Sequence, residues 1–352
     1  MRIILMGTGP FAVPAFEAIR NSEDTIVAVI TKPLPTDKKT PIHPVAQWAT
    51  TACLPIHTPP DLRVAEALEL LRSFNADLSV VCDYGQILKI DALEAARLGA
   101  INLHGSLLPS HRGAAPVQWS ILVGDRTSGV SVIRMTTGLD SGPVLAGAQT
   151  DIDPHEDAAQ LESRLSQLGV DATLRAIDLL RPCKTLDDVK LLGQKQDAAR
   201  ATKAPRFNKS DGQLDFRWSA DVLDRVIRAL QPWPGAFAEL KLPNGNALRV
   251  QIKKAEPIAA SSAYRSLGIA SGTLSTWSNI LASSGTGLDS ADDMHRKLNA
   301  QDLVVTTGDG ILRIHQIQPA GKRLMASSEF AAGYCRSVTL SFIVPTATTL
   351  IV

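Results

Sequence analysis

Cysteine is scarce in this 352-residue chain. Its four copies, Cys53, Cys82, Cys183 and Cys335, are spread with no C-x-x-C and no paired spacing. That excludes a disulfide framework or cysteine metal knuckle and fits free thiols in a reducing compartment. Charge of one sign is also lacking, since Lys+Arg is 36 and Asp+Glu 35. A chain so balanced is no polycation, so any nucleic-acid contact needs a local patch. No apolar run reaches the length of a membrane span, and Met1–Gly7 is too short for a signal peptide. These absences predict a cytoplasmic protein. No H-E-x-x-H, no Cys/His ligand spacing and no G-x-S-x-G elbow occurs, so neither a metal centre nor a serine hydrolase is expected.

What is present alternates strand and helix. Ile3–Met6, Thr25–Thr31, Leu78–Cys82 and Ala100–His104 read as buried strands. Phe11–Arg20, Val45–Ala52, Val64–Phe74, Ala92–Leu98 and Glu156–Leu180 carry helical spacing. Gly129–Met135 and Val144–Ile152 add two strands around the turn Gly138-Leu139-Asp140-Ser141-Gly142. Continuous apolar strands between helices imply a mainly parallel sheet covered on both faces. The pattern weakens after Arg181-Pro182, so residues 183–206 are expected to be a linker between a domain at 1–182 and another at 207–352. In the second, short β-like runs and turns such as Pro243-Asn244-Gly245 suggest a small barrel. Ala259–Ser290, rich in Ser, Gly and Ala, is expected to be a flexible insertion outside it.

The densest polar segment is Asn102-Leu103-His104-Gly105-Ser106-Leu107-Leu108-Pro109. Residues two apart on a strand share a face, so Asn102 and His104 point together. An amide beside an imidazole suits a reaction whose carbonyl oxygen gains negative charge. Spacing alone favours the plainer reading, in which Asn102 caps a turn and His104 is a half-buried structural residue. Asp140, between glycines, projects from a tight turn; spacing does not say whether it meets His104. Gly7-Thr8-Gly9-Pro10-Phe11-Ala12 imitates a dinucleotide fingerprint, but the second strand ends Ile30-Thr31-Lys32 without the acidic residue such a site uses.

These strings, with His111-Arg112-Gly113-Ala114-Ala115-Pro116, resemble the formyltransferases that use 10-formyltetrahydrofolate, and within them the branch acting on methionyl-tRNA. The resemblance extends to Tyr84-Gly85-Gln86-Ile87-Leu88, Gln231-Pro232-Trp233-Pro234-Gly235, Thr307-Gly308-Asp309-Gly310 and Gln318-Pro319-Ala320-Gly321-Lys322. It implies a Rossmann-like α/β domain followed by an OB-like β-barrel that contacts tRNA. It also implies catalytic roles for Asn102, His104 and Asp140, and a folate-contacting turn at Ser106, Leu107, Leu108 and Pro109. The implied reaction moves a formyl group from folate to the α-amine of initiator methionyl-tRNA for translation initiation, with Asp140 holding His104 and a relay water. It calls for no metal, membrane or obligatory protein partner. Three places depart from the family. Thr31–Val45 is shorter and carries only Lys32, Lys38 and Lys39, and Ala259–Ser290 and the tail at 346–352 have no counterpart. Charge adds one expectation: residues 203–256 hold ten Lys/Arg against six Asp/Glu, a mildly basic stretch. The competing readings are a formyltransferase acting on a small-molecule amine, a hydrolase releasing formate, and a non-catalytic binding protein.

Overall fold

The computed structural model describes residues 1–36, 40–266, 268–284, 297–335, 338–346 and 350. It contains two compact units. The first comprises residues 1–120, 126–153 and 160–206; the second comprises 121–125, 154–159 and 207–352.

The first unit is built on strands β1 (Arg2–Gly7), β2 (Thr25–Ile30), β3 (Ile56–His57), β4 (Leu78–Cys82), β5 (Ala100–His104), β7 (Thr127–Arg134) and β8 (Val144–Asp151). A separate two-residue pair joins β6 (Arg112–Gly113) to β9 (Lys203–Ala204). The main sheet has the order β3-β2-β1-β4-β5-β7-β8. It is parallel through β5, and β7 and β8 are antiparallel additions. The mainly parallel Rossmann-like sheet expected from the apolar runs is therefore present. β4 is buried at every position, as a strand covered on both faces must be. Ile4, Met6, Ile30, Leu71 and Tyr84 share one core; each large aliphatic side chain so buried contributes about 1.5–3 kcal/mol. The apolar residues of Ala92–Leu98 are buried as expected, but the helix is only Ile90–Leu93. The Arg97 and Leu98 N–H groups donate instead to the Ala76 and Asp77 carbonyls, so the chain leaves the helix to tie down the approach to β4.

In the second unit, β10 (Phe237–Lys241), β11 (Ala247–Ile258), β12 (Thr273–Thr276), β13 (Leu303–Thr306), β14 (Ile311–Pro319), β15 (Met325–Ala326) and β16 (Leu340–Phe342) form one antiparallel sheet. Its order is β11-β10-β16-β12-β13-β14-β15, and β11 also pairs with β14. Six strands thus close into a barrel, as expected. Helix Ala220–Ala229 is capped by Ser219, whose hydroxyl accepts from the Val222 N–H, and buries Leu223, Val226 and Ile227.

Beyond the shortened helix, the structure differs from the sequence reading in further segments: 121–125 and 154–159, expected in the first domain, cluster with the second unit. Residues 183–206 cluster with the first unit. Within 259–290, β12 is a barrel strand between β13 and β16, and Trp277 is 1% exposed in a core with Tyr264, Ile280, Leu298 and Val304. Small Ser and Thr side chains pack inside the barrel there, so a composition that suggested looseness makes a strand. Residues 285–290 lie outside the described residues, as do Lys38, Lys39 and most of the tail from 346.

Candidate active site

β5 is the strand at which the sheet changes direction, parallel to β4 on one side and antiparallel to β7 on the other. Its last residue, His104, sits at the carboxyl edge, where open α/β sheets hold ligands. Asn102 lies opposite Val81 and Ile133, and His104 opposite Ser131. The amide and imidazole leave the same face two residues apart. The Asn102 side chain makes no hydrogen bond to any described residue and is half-buried, so its N–H groups are available.

Both nitrogens of His104 face oxygen. Nε2 lies 3.0 Å from the His111 carbonyl and Nδ1 3.9 Å from Asp140 Oδ2. A carbonyl only accepts, so Nε2 carries the proton and Nδ1 is the nitrogen that gains or loses one. The gap to Asp140 exceeds a hydrogen bond, and the contact becomes an ion pair only when the ring is protonated. Burial pushes the His104 pKa down; the Asp140 carboxylate and the His111 carbonyl oppose it, and the His111 ring adds to the lowering. The net direction is downward, so the imidazole is neutral at neutral pH and poised to accept a proton.

Asp140 is presented by an unusual backbone. Its φ is +46°, a left-handed conformation that Asp tolerates better than most residues. Its Oδ2 accepts the Gly113 N–H at 2.9 Å. Gly113 has φ +137°, and a Cβ there would run into the Ala204 carbonyl, so only glycine lets β6 lie this close to β9.

The turn after β5 is fixed by Ser131, which donates to the Ser106 carbonyl at 2.8 Å and accepts the Leu108 N–H at 3.0 Å. Ser106 is buried, and its hydroxyl donates to the Ser110 carbonyl at 2.6 Å. What this turn offers a ligand is the half-buried flank of Leu107, Leu108 and Pro109. Two apolar side chains are exposed nearby in the chain: Leu139, beside Asp140, is 67% exposed, and Ile87, in the loop that follows β4, is 84% exposed.

Sequence reasoning missed the contribution of residues 194–205. Thr202 Oγ1 accepts the His111 N–H at 2.8 Å, β9 pairs with β6, and Gln196 reaches the Asp140 loop. No periodicity marks this stretch; its only signal is a run of polar side chains. Among the described residues no group of three His, Cys, Asp or Glu is placed to hold a metal. No helix among them is long and apolar enough to cross a membrane.

The basic stretch is partly neutralised. Arg217 pairs with Asp215, Arg228 with Asp224, and Arg249 lies 3.5 Å over the Phe237 ring. Arg225 donates to the Leu122 carbonyl. Lys209, Lys241, Lys253 and Lys254 form no ion pair with described residues, and Trp233 is half exposed. Burial lowers the Lys253 pKa.

Comparison with known proteins agrees with this architecture. A model described as formyl transferase matches residues 1–177, and one described as formyl transferase, C-terminal domain, matches 206–335. The chain is 42% identical to the methionyl-tRNA formyltransferase of Rhodopirellula baltica, over 98% of this chain and 97% of that protein. Among solved structures it is similar to WlaRD, a sugar 3N-formyl transferase crystallised with dTDP and 5-N-formyl-THF. That match has TM-score 0.58 and 17% identity over 92% of this chain and 99% of that one. HypX from Aquifex aeolicus in complex with tetrahydrofolic acid gives TM-score 0.58 at 14% identity, covering 96% of this chain and 48% of that one, about half its length. With both models matched along the chain and a relative this similar over nearly its whole length, the chain belongs to the formyltransferase family.

Proposed function

We propose that this protein transfers the formyl group of 10-formyltetrahydrofolate to the α-amine of methionyl-tRNA, in the cytoplasm where charged tRNA is used. The similarity to a methionyl-tRNA formyltransferase along both units, barrel included, is the observation that carries this reading. A sugar 3N-formyl transferase matches 92% of this chain in fold, so it is the sequence similarity, and not the presence of a second unit, that separates the two readings.

The folate is a co-substrate, and the residues suit it. The uncovered Ile87 and Leu139 and the flank of Leu107, Leu108 and Pro109 match a flat heteroaromatic ring. When bound it supplies a formyl carbon made electrophilic by its nitrogen. The side chains do the rest. Asn102 donates to the formyl oxygen as that oxygen gains charge; one such donor is worth about a hundred- to a thousandfold in rate. The acceptor amine must be neutral, and α-amines lose their proton near pH 8. His104 takes at Nδ1 the proton that the amine loses as it attacks the formyl carbon, Asp140 stabilises the resulting imidazolium, and that proton passes on to the folate nitrogen as its bond to the formyl carbon breaks. The His111 carbonyl holds the opposite ring edge, fixing the tautomer. Lys209, Lys241, Lys253, Lys254 and the exposed Trp233 supply phosphate and stacking contacts to the RNA.

The test is stoichiometry. With methionyl-tRNA and formyl-folate, one formylated α-amine should form for each folate deformylated. Formate in place of formylated amine would establish a hydrolase instead.

A further inference from the structure

One side chain beside the site has every hydrogen-bonding capacity filled. Gln196 Nε2 donates to the Asp140 carbonyl at 2.8 Å and the Gly142 carbonyl at 2.7 Å. Its Oε1 accepts from Arg112 Nε at 3.1 Å and Nη2 at 2.7 Å. A primary amide has two N–H groups and room for two acceptor bonds, so all four are used. Gln196 lies outside helix and strand, so this network does not follow from regular structure.

The groups it grips bear on His104 from both sides. Asp140 places Oδ2 opposite Nδ1, and its left-handed φ persists only where neighbours hold the loop. Arg112 stands between His111, whose carbonyl faces Nε2, and Gly113, whose N–H holds Asp140 Oδ2. The two segments come from distant parts of the chain, and Gln196 ties them together through one amide.

We infer that Gln196 is a positioning residue for the transfer. It fixes the Asp140 loop against the His111–Gly113 turn, so that carboxylate and carbonyl meet opposite nitrogens of one imidazole. This rests on His104 and Asp140 being the proton-handling pair. His111 and Asp140 are the titratable neighbours of His104.

The test uses the full chain with two neutral variants. Gln196→Leu removes all four bonds, and Gln196→Asn keeps an amide one methylene short of the span. Gln196 is half-buried in an irregular stretch, and Gln196→Asn carries the test should Gln196→Leu fail to fold. A partner that orients a catalytic ligand or base is typically worth about 10–100-fold. We expect kcat to fall by about that factor, with the KM for methionyl-tRNA and for folate changed less than about threefold. The His104 limb of kcat against pH, below the one the amine sets near pH 8, should move to lower pH, because a carboxylate that strays no longer raises the His104 pKa. A merely structural Gln196 would lower the melting temperature and leave that limb in place, which would overturn the proposal. So would full kcat in either folded variant. Asp140→Asn is measured alongside. If it shifts kcat and the limb while the Gln196 variants shift neither, only the role of Gln196 fails. If Asp140→Asn also changes nothing, the proton-handling pair fails with it.

Discussion

Replacing Asp140 by Asn removes one charge and little else. Asn keeps a side-chain oxygen to accept the Gly113 N–H, and it is among the residues that tolerate the left-handed φ of +46°. The charge removed lies 3.9 Å from His104 Nδ1. At that separation two unit charges interact by about 1 kcal/mol in a water-like medium and about 4 kcal/mol at an effective dielectric of about 20. The side chains are 6% and 14% exposed, which favours the upper part of that range. At about 1.4 kcal/mol per pH unit, Asp140→Asn should lower the pH at which His104 protonates by about one to three pH units. The sign is definite: burial already lowers the His104 pKa, the carboxylate opposes it, and removing the carboxylate lets it fall further. Activity needs neutral His104, so the His104 limb of kcat, which lies below the one the amine sets near pH 8, moves to lower pH. At neutral pH the ring is neutral with or without Asp140, and kcat there should drop about ten- to a thousandfold from the lost imidazolium stabilisation. Saturating formyl transfer between about pH 5 and 8 reads kcat and the departure of the limb from that window, and an imidazole NMR titration assigned through His104→Gln follows the ring to lower pH. An unmoved limb with undiminished kcat would refute the reasoning.

Asn102→Ala should lower kcat about a hundred- to a thousandfold with folate binding preserved, measured by single-turnover transfer; full activity would remove Asn102 from the oxyanion role. Raising salt from about 50 to 200 mM should weaken methionyl-tRNA binding by about fifty- to 150-fold if Lys209, Lys241, Lys253 and Lys254 meet phosphates, and a flat dependence would show that they do not. Trp277→Ala should destabilise the barrel unit by about 3–5 kcal/mol in chemical denaturation, because the ring is buried among Tyr264, Ile280 and Leu298; a flexible insertion would lose nothing.

The parallel sheet was legible because β1, β2, β4 and β5 are apolar runs of strand length, and the period of two put Asn102 and His104 on one face. The approach of Asp140 to His104 was not, because it depends on the β5–β7 register, on a left-handed residue and on a bond from Gly113. None of these leaves a local pattern. Residues 194–205 hold the site through single side-chain bonds from Gln196 and Thr202, which spacing does not encode. In 259–290 composition misled: Leu274 and Trp277 were the apolar signals for β12 and the helix Trp277–Ser284, and they were outweighed by the surrounding Ser and Gly.

The most direct measurement is kcat/KM for formyl transfer with methionyl-tRNA set against free methionine and an amino sugar as acceptors. Methionyl-tRNA should be preferred by orders of magnitude, with the formyl group on the methionine α-amine. Equal or faster transfer to a small amine would contradict the account.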